Sequence, residues 1–217
     1  NEFIILDKWH DIVTQGGSKI DVSINDIIKK ISLNYNLVHR LDKETSGLLI
    51  ISKNLEATKI FATLFRNREI EKIYIAVCLG MPKNINSTVK LEIQNKNNLQ
   101  KNSFSITKYK VILKKNKFSV ILFKPLTGKT HQLRIVSKNI ASPIVGDSKY
   151  NLYEKNTFEK LKLNAFFLKF TLKGKEYEFE SKLPRHFIEF FRKERIKFKI
   201  NKNFFNFWIF LTPYKNI

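Results

Sequence analysis

The chain has 217 residues, 43% of them hydrophobic and 13% aromatic, enough for one sizeable domain with a buried core. Its 40 Lys and Arg against 19 Asp and Glu give a formal charge of +21; a polyanion relieves that self-repulsion, so nucleic acid is the first partner to consider. A single cysteine, Cys78, excludes an internal disulfide framework and points to a reducing compartment, and no apolar run reaches the roughly 18–20 residues that span a bilayer.

Phe3 to Leu6 reads as a short buried strand, followed by the turn Gln15-Gly16-Gly17-Ser18. Ser23 then opens a helix with Asp26 at capping-box spacing, Asp standing where Glu is usual. Ile24, Ile27, Ile28 and Ile31 form the apolar face of that helix. Next comes His39-Arg40-Leu41-Asp42-Lys43-Glu44-Thr45-Ser46-Gly47-Leu48-Leu49, a polar loop running into an apolar strand, Gly47 to Ser52. An arginine and a carboxylate two residues apart on a strand-flanked loop suit a site better than a core. Asn54 caps the following helix, where Ile60, Phe61, Leu64 and Phe65 recur at helical spacing.

Glu71 to Leu79 alternates: Ile73, Ile75, Val77 and Leu79 point one way, so Tyr74, Ala76 and Cys78 point the other. Further strands read at Val89 to Ile93, Ser103 to Leu113 and Phe118 to Phe123, with a polar, mobile loop expected over Gln94 to Lys101. Thr127-Gly128-Lys129-Thr130-His131-Gln132-Leu133-Arg134 is a turn leading into a helix. Phe166 to Leu172 and Tyr177 to Glu180 form a hairpin across Lys173-Gly174-Lys175. Pro184 starts a last helix, Arg185 to about Lys197, with Phe187, Ile188, Phe190 and Phe191 inward. Strands and helices interleaved without βαβ regularity predict an α+β fold with a mostly antiparallel sheet.

Three motifs carry a family resemblance. The His39 to Leu49 stretch matches HRLDxxTSGLL, the signature of the RluA-type pseudouridine synthases, which isomerise uridine in RNA. Lys72-Ile73-Tyr74-Ile75-Ala76 resembles that family's KxYxA motif, and Gly128 to Arg134 resembles its G(R/K)THQ(L/I)R motif. Ser142 to Asn151 is similar to HPIxGDxxYG, with Ser142 for His and Asn151 for Gly, and Leu163-Asn164-Ala165 through Leu183-Pro184 is similar to the closing elements. The Gly16-Gly17 turn is shared with the RluC-like, large-subunit rRNA branch. The chain departs at Asp7-Lys8-Trp9-His10-Asp11, where the family usually has NKP-G, and in its tail.

The resemblance implies a pseudouridine synthase fold: a mixed, mostly antiparallel sheet with flanking helices and a central RNA-binding cleft. It implies a catalytic domain over residues 1–199 and a basic, aromatic tail over 200–217, without the N-terminal S4-type RNA-binding domain of many relatives. Asp42, taken alone, is a turn-capping carboxylate; by resemblance it is the nucleophile or the stabiliser of the sugar cation. Tyr74, otherwise a core residue, stacks on the flipped uracil and takes up a proton. Arg134, otherwise a helix-surface cation, pairs with Asp42 and keeps it ionised. Arg40 is the wedge that fills the gap in the RNA, and His39, Lys72, Lys129 and His131 contact the RNA.

The implied enzyme uses no cofactor and no metal; four scattered histidines and one cysteine offer no zinc spacing. Its implied partner is RNA, 23S rRNA above all, and it acts as a cytoplasmic monomer. Two other classes compete: a catalytically silent RNA-binding or ribosome-assembly module of the same fold, and a carboxylate glycosidase. The latter normally asks for two cooperating carboxylates, and no second acid sits in a comparable motif.

Overall fold

The computed structural model describes residues 2–17, 22–93, 103–152 and 159–198. The expected loop Gln94 to Lys101, the tail 200–217 and Ser18 of the first turn lie outside the described residues. In chain order the elements are β1 (Phe3–Lys8), α1 (Ile24–Ile31), β2 (Asn36–Leu37), β3 (Ser46–Ser52), α2 (Leu55–Arg66), β4 (Glu71–Leu79), β5 (Asn86–Ile93), β6 (Ser103–Lys115), β7 (Phe118–Pro125), α3 (Gln132–Asn139), β8 (Leu163–Leu172), β9 (Lys175–Glu180) and α4 (Arg185–Lys193). One sheet runs β1-β3-β8-β4-β7-β6-β5, with β2 added to β3 and β9 to β8. Every pairing is antiparallel except β3 with β8, so the α+β expectation holds.

The helices begin where local chemistry says they should. Ser23 accepts from the Asp26 amide at 3.3 Å, and Asp26 Oδ2 accepts from the Ser23 amide at 2.8 Å, so the capping box closes with Asp. Asn54 Oδ1 accepts from the Ala57 amide at 2.8 Å at the start of α2. In α1 only Ile24 and Ile28 are buried, against Leu49 and Ile51, whereas the expected partners Ile27 and Ile31 are exposed. A helix of two turns lying on one strand seats a single i, i+4 pair, and the other two isoleucines fall outside that contact. In the same way α4 ends at Lys193 and buries Phe187, Phe190 and Phe191, while Ile188 faces outward.

Four apolar clusters divide between the two faces of the sheet. On one, α4 packs on Ile73, Ile75, Val77, Val120 and Leu122, and α2 packs on Leu48, Ile50, Leu168 and Phe170. On the other, α3 covers Ala76, Cys78, Ile121 and Phe123, and α1 covers Leu49, Ile51 and Ala165. The alternation in β4 therefore separates two buried layers rather than core from solvent. Tyr74 packs against both the α3 and the α1 clusters. The register of β4 on β8 slips beside it, between Ile73 and Tyr74; such bulges re-aim side chains next to sites.

The parallel contact of β3 with β8 brings the His39 to Leu49 loop into the molecule's centre. It consists of Ser46 opposite Asn164 and Gly47 opposite Ala165. Gly47 has φ +108°, and a Cβ there would meet the Ala165 carbonyl oxygen at 2.4 Å. The position thus demands glycine for both conformation and space. Gly47→Ala is expected to cost at least about 2 kcal/mol of stability, read as a lower urea midpoint. An unchanged midpoint would mean that the two strands do not need this close approach.

Candidate active site

Asp42 is held through its neighbours on both sides. Thr14, buried in the loop after β1, donates from Oγ1 to the Leu41 carbonyl at 2.6 Å and accepts from the Leu41 amide at 3.2 Å. Lys8, only 2% exposed at the end of β1, donates from Nζ to the carbonyls of Trp9, Ile12 and Lys43 at 2.9, 2.8 and 3.1 Å. The Thr45 amide closes a turn onto the Asp42 carbonyl at 3.0 Å. Residues 41, 42 and 43 are thereby fixed by backbone contacts, which leaves the Asp42 carboxylate half-buried and facing a cleft. Burial draws the Lys8 ammonium down to about 8, and the charges of Asp11 and Asp42 push the other way.

The cleft encloses about 940 Å³ and is lined by the β1–α1 loop, the 38–45 loop, the α2–β4 turn and the β7–α3 loop. All eight residues singled out in the sequence line it: His39, Arg40, Asp42, Lys72, Tyr74, Lys129, His131 and Arg134. Arg40 is exposed, and among the described residues its guanidinium has no ion pair or hydrogen bond. Tyr74 sits deep. Burial raises its phenol above the ordinary tyrosine value and the Asp42 charge raises it further, so the resting cleft holds a phenol rather than a phenolate.

His39 is built into the wall. Its Nε2 accepts from the Ile50 amide at 2.8 Å, its ring lies 4.8 Å from that of Phe65, and burial followed by the Lys72 charge pulls it down to about 3. It stays neutral and supports β3 while lining the cleft. Lys72 lies over Phe65 at 5.6 Å, with its ammonium lowered by burial. His131 is the first residue of the α3 turn, with φ 54° and its Nδ1 3.0 Å from the Tyr150 hydroxyl. Burial lowers His131, and Asp42 opposes that shift.

Arg134 differs from expectation in its partners. The guanidinium forks onto Asp147, with Nε to Oδ2 at 2.8 Å and Nη2 to Oδ1 at 2.7 Å, and reaches Glu44 from Nη1 at 2.7 Å. Among the described residues Asp42 is not within ion-pair distance of it; Asp42 acts on Arg134 through its field. The reason is geometric. Arg134 is 3% exposed, and a buried guanidinium needs its donors matched at close range, which the carboxylates of Asp147 and Glu44 provide. Burial, the largest single effect, lowers the Arg134 pKa, and the bonds to Asp147 with the charges of Glu44 and Asp42 more than reverse it.

Sequence reasoning missed several residues that build this site: Lys8, Thr14, Glu44, Gln132 and Asp147. Buried Gln132 uses its whole amide, accepting from Thr127 Oγ1 and the Lys129 amide and donating to the Ile106 carbonyl and Thr107 Oγ1. It fastens the β7–α3 loop to β6. Arg66, Arg68 and Lys124 also line the cleft; the basic run Arg66-Asn67-Arg68 just before Tyr74's strand was the available signal. A carboxylate facing a nucleotide-sized cleft rimmed by cations can attack a sugar carbon while the rim binds phosphates. Among the described residues no cluster of three or more His, Cys, Asp or Glu is placed to hold a metal ion, and no helix is long and apolar enough to cross a membrane.

Comparisons with known proteins agree with this geometry. The family model described as RNA pseudouridylate synthase matches residues 2–139. A ribosomal large subunit pseudouridine synthase C of Rickettsia prowazekii (strain Madrid E) is 37% identical over 203 residues, covering 86% of this chain and 67% of that protein. A ribosomal large subunit pseudouridine synthase D of Borreliella burgdorferi is 30% identical over 210 residues, covering 86% of this chain and 64% of that one. Among solved structures, human RNA pseudouridylate synthase domain containing 4 superposes with a TM-score of 0.81 at 22% identity, covering 92% of each chain.

The buried Arg134 fork should dominate the stability of this region. Asp147→Asn leaves the guanidinium half-matched and is expected to cost about 3 kcal/mol or more, measured by denaturant unfolding. Glu44→Gln, at a pair that is one-third exposed on the carboxylate side, should cost under about 1 kcal/mol. Equal costs for the two would contradict the assignment of Asp147 as the main partner.

Proposed function

This chain belongs to the RNA pseudouridylate synthase family, and from that premise we propose that it isomerises specific uridines of large-subunit ribosomal RNA, with Asp42 breaking the glycosidic bond. The reaction converts uridine to pseudouridine: the N1–C1′ bond breaks, the uracil turns, a C5–C1′ bond forms, and the C5 proton is exchanged for one on N1. Atoms and electrons balance without a redox partner, so the reaction needs no cofactor. The observation that carries the proposal is the two-sided backbone clasp on Asp42 in a cleft that also holds Tyr74 and a rim of cations. The named relatives act on the large ribosomal subunit, and the +21 charge of this chain suits such a polyanion. A ribosomal RNA substrate supports a cytoplasmic site of action.

The reacting base must leave its stack, at a cost of a few kcal/mol. Arg40, exposed and without an ion pair at the mouth, is free to enter the vacated position and contact the neighbouring phosphates. The flipped uracil then stacks on Tyr74, and the Asp42 carboxylate attacks C1′ or stabilises the sugar cation. One of the two effects that keep Tyr74 protonated is the Asp42 charge. That charge vanishes while Asp42 is bonded to the sugar, which makes the phenol easier to ionise; having given its proton to water, Tyr74 as phenolate takes the proton that C5 must lose, and N1 takes one from water. Arg134 contributes by fixing Glu44, two residues beyond Asp42.

Tritium release from rRNA carrying 5-tritiated uridine tests the reading. The wild type is expected to release tritium, and Asp42→Asn to fall by a factor on the order of 10⁴ or more while still binding RNA. Arg40→Ala should slow turnover roughly tenfold to a hundredfold, with RNA affinity changed far less. Tight binding without release by the wild type would leave a silent RNA-binding module in place of an enzyme.

A further inference from the structure

Trp9 occupies an unusual position for a large aromatic. It is 79% exposed, and among the described residues its ring has no aromatic or cationic neighbour. The other strongly exposed apolar side chains, Leu33, Ile31, Leu55 and Ile85, are aliphatic and scattered, as on any surface. Phe104, half-exposed, already has Lys90 over its face at 4.5 Å. Among the described residues Trp9 alone offers a bare indole.

Its backbone is not loose. The Trp9 carbonyl accepts from Lys8 Nζ at 2.9 Å, and the same ammonium holds the Lys43 carbonyl at 3.1 Å, next to Asp42. The chain then turns sharply through Asp11, whose φ of 66° is left-handed. The His10 imidazole pairs back onto Asp11 at 3.2 Å. Lys8 thus couples Trp9 rigidly to the catalytic loop, with the ring outside the cleft. The Lys43 and Trp9 carbonyls share the Lys8 ammonium, and exposed Lys160 is close enough to act on His10, the next residue. A bare indole on a backbone tied through Lys8 to the loop that carries Asp42, in a strongly basic chain, has the composition of a stacking platform for an unpaired base.

We infer that Trp9 stacks on a nucleobase of the RNA strand outside the cleft, near the uridine that enters it. This rests on the reading of the chain as an RNA enzyme and extends its substrate contact beyond the pocket. It favours single-stranded or looped RNA, because a paired base has no free face for the indole. The contact adds affinity and register while the chemistry stays with Asp42.

The chain has two tryptophans, Trp9 and Trp208, so Trp208→Phe leaves Trp9 as the sole emitter. Oligouridylate should quench that emission strongly, and heparin, a polyanion without bases, should not. In tritium release, Trp9→Ala should raise KM roughly tenfold, Trp9→Phe should restore most of the loss, and kcat should stay within about twofold throughout. Emission that oligouridylate leaves unchanged, whether it binds or not, overturns the proposal, as does quenching that heparin reproduces. A blue shift with protein concentration alone would mean that a second copy covers the indole, and would also overturn it. Absence of tritium release by the wild type strikes the enzymatic reading instead, while the quench still decides whether Trp9 stacks on RNA.

Discussion

Much of the cleft depends on one buried guanidinium. Arg134 lies on α3, Glu44 just past the Asp42 turn, and Asp147 on the segment leading toward β8, and all three meet at 2.7–2.8 Å. A charge this deep is costly unless nearly every donor is matched, and the fork of arginine meets a carboxylate with two parallel bonds where lysine offers one point. Asp147 is matched in turn, since its Oδ1 also accepts from the Lys149 and Tyr150 amides. The ion pairs therefore act as a joint between segments far apart in the chain. Asp42 inherits its position from that joint without touching it.

A second cation does similar work from the other side. Lys8 spends its three donors on carbonyls, two in its own loop and one beside Asp42, so among the described residues it forms no ion pair with Asp42 although its charge still acts on that carboxylate. Thr14 completes the grip on Leu41. Among the described residues the consequence is a carboxylate under several fields but in no ion pair. Tyr74 shows the converse: packed between two core clusters, its phenol is kept protonated by burial and by the Asp42 charge.

The sequence carried local features well. The Ser23 box, the Asn54 cap and the β4 alternation appear where periodicity placed them, and the eight motif residues line one cleft. What it could not show was partner choice. Nothing in the residues 128–134 says that Arg134 bonds Asp147 and Glu44 rather than Asp42, because that depends on how α3 is set against β3. Nor does an isolated Lys8 at a strand end announce that it will be buried; its role follows from the β1–β3 pairing, in which Lys8 stands opposite Gly47. Nor does the motif show that His39 also anchors β3 through the Ile50 amide. Exposure of Ile27, Ile31 and Ile188 reflects how few residues a short helix can seat on one face of the sheet.

The claim that a buried fork positions Asp42 at a distance is tested most directly by Arg134→Lys, which keeps the positive charge and removes the fork. Single-turnover tritium release from 5-tritiated uridine in rRNA should fall at least about a hundredfold, with RNA affinity within about twofold and the fold intact by circular dichroism. Release at the wild-type rate would contradict the account, because charge alone would then suffice and the joint between Glu44 and Asp147 would have no part in placing the carboxylate.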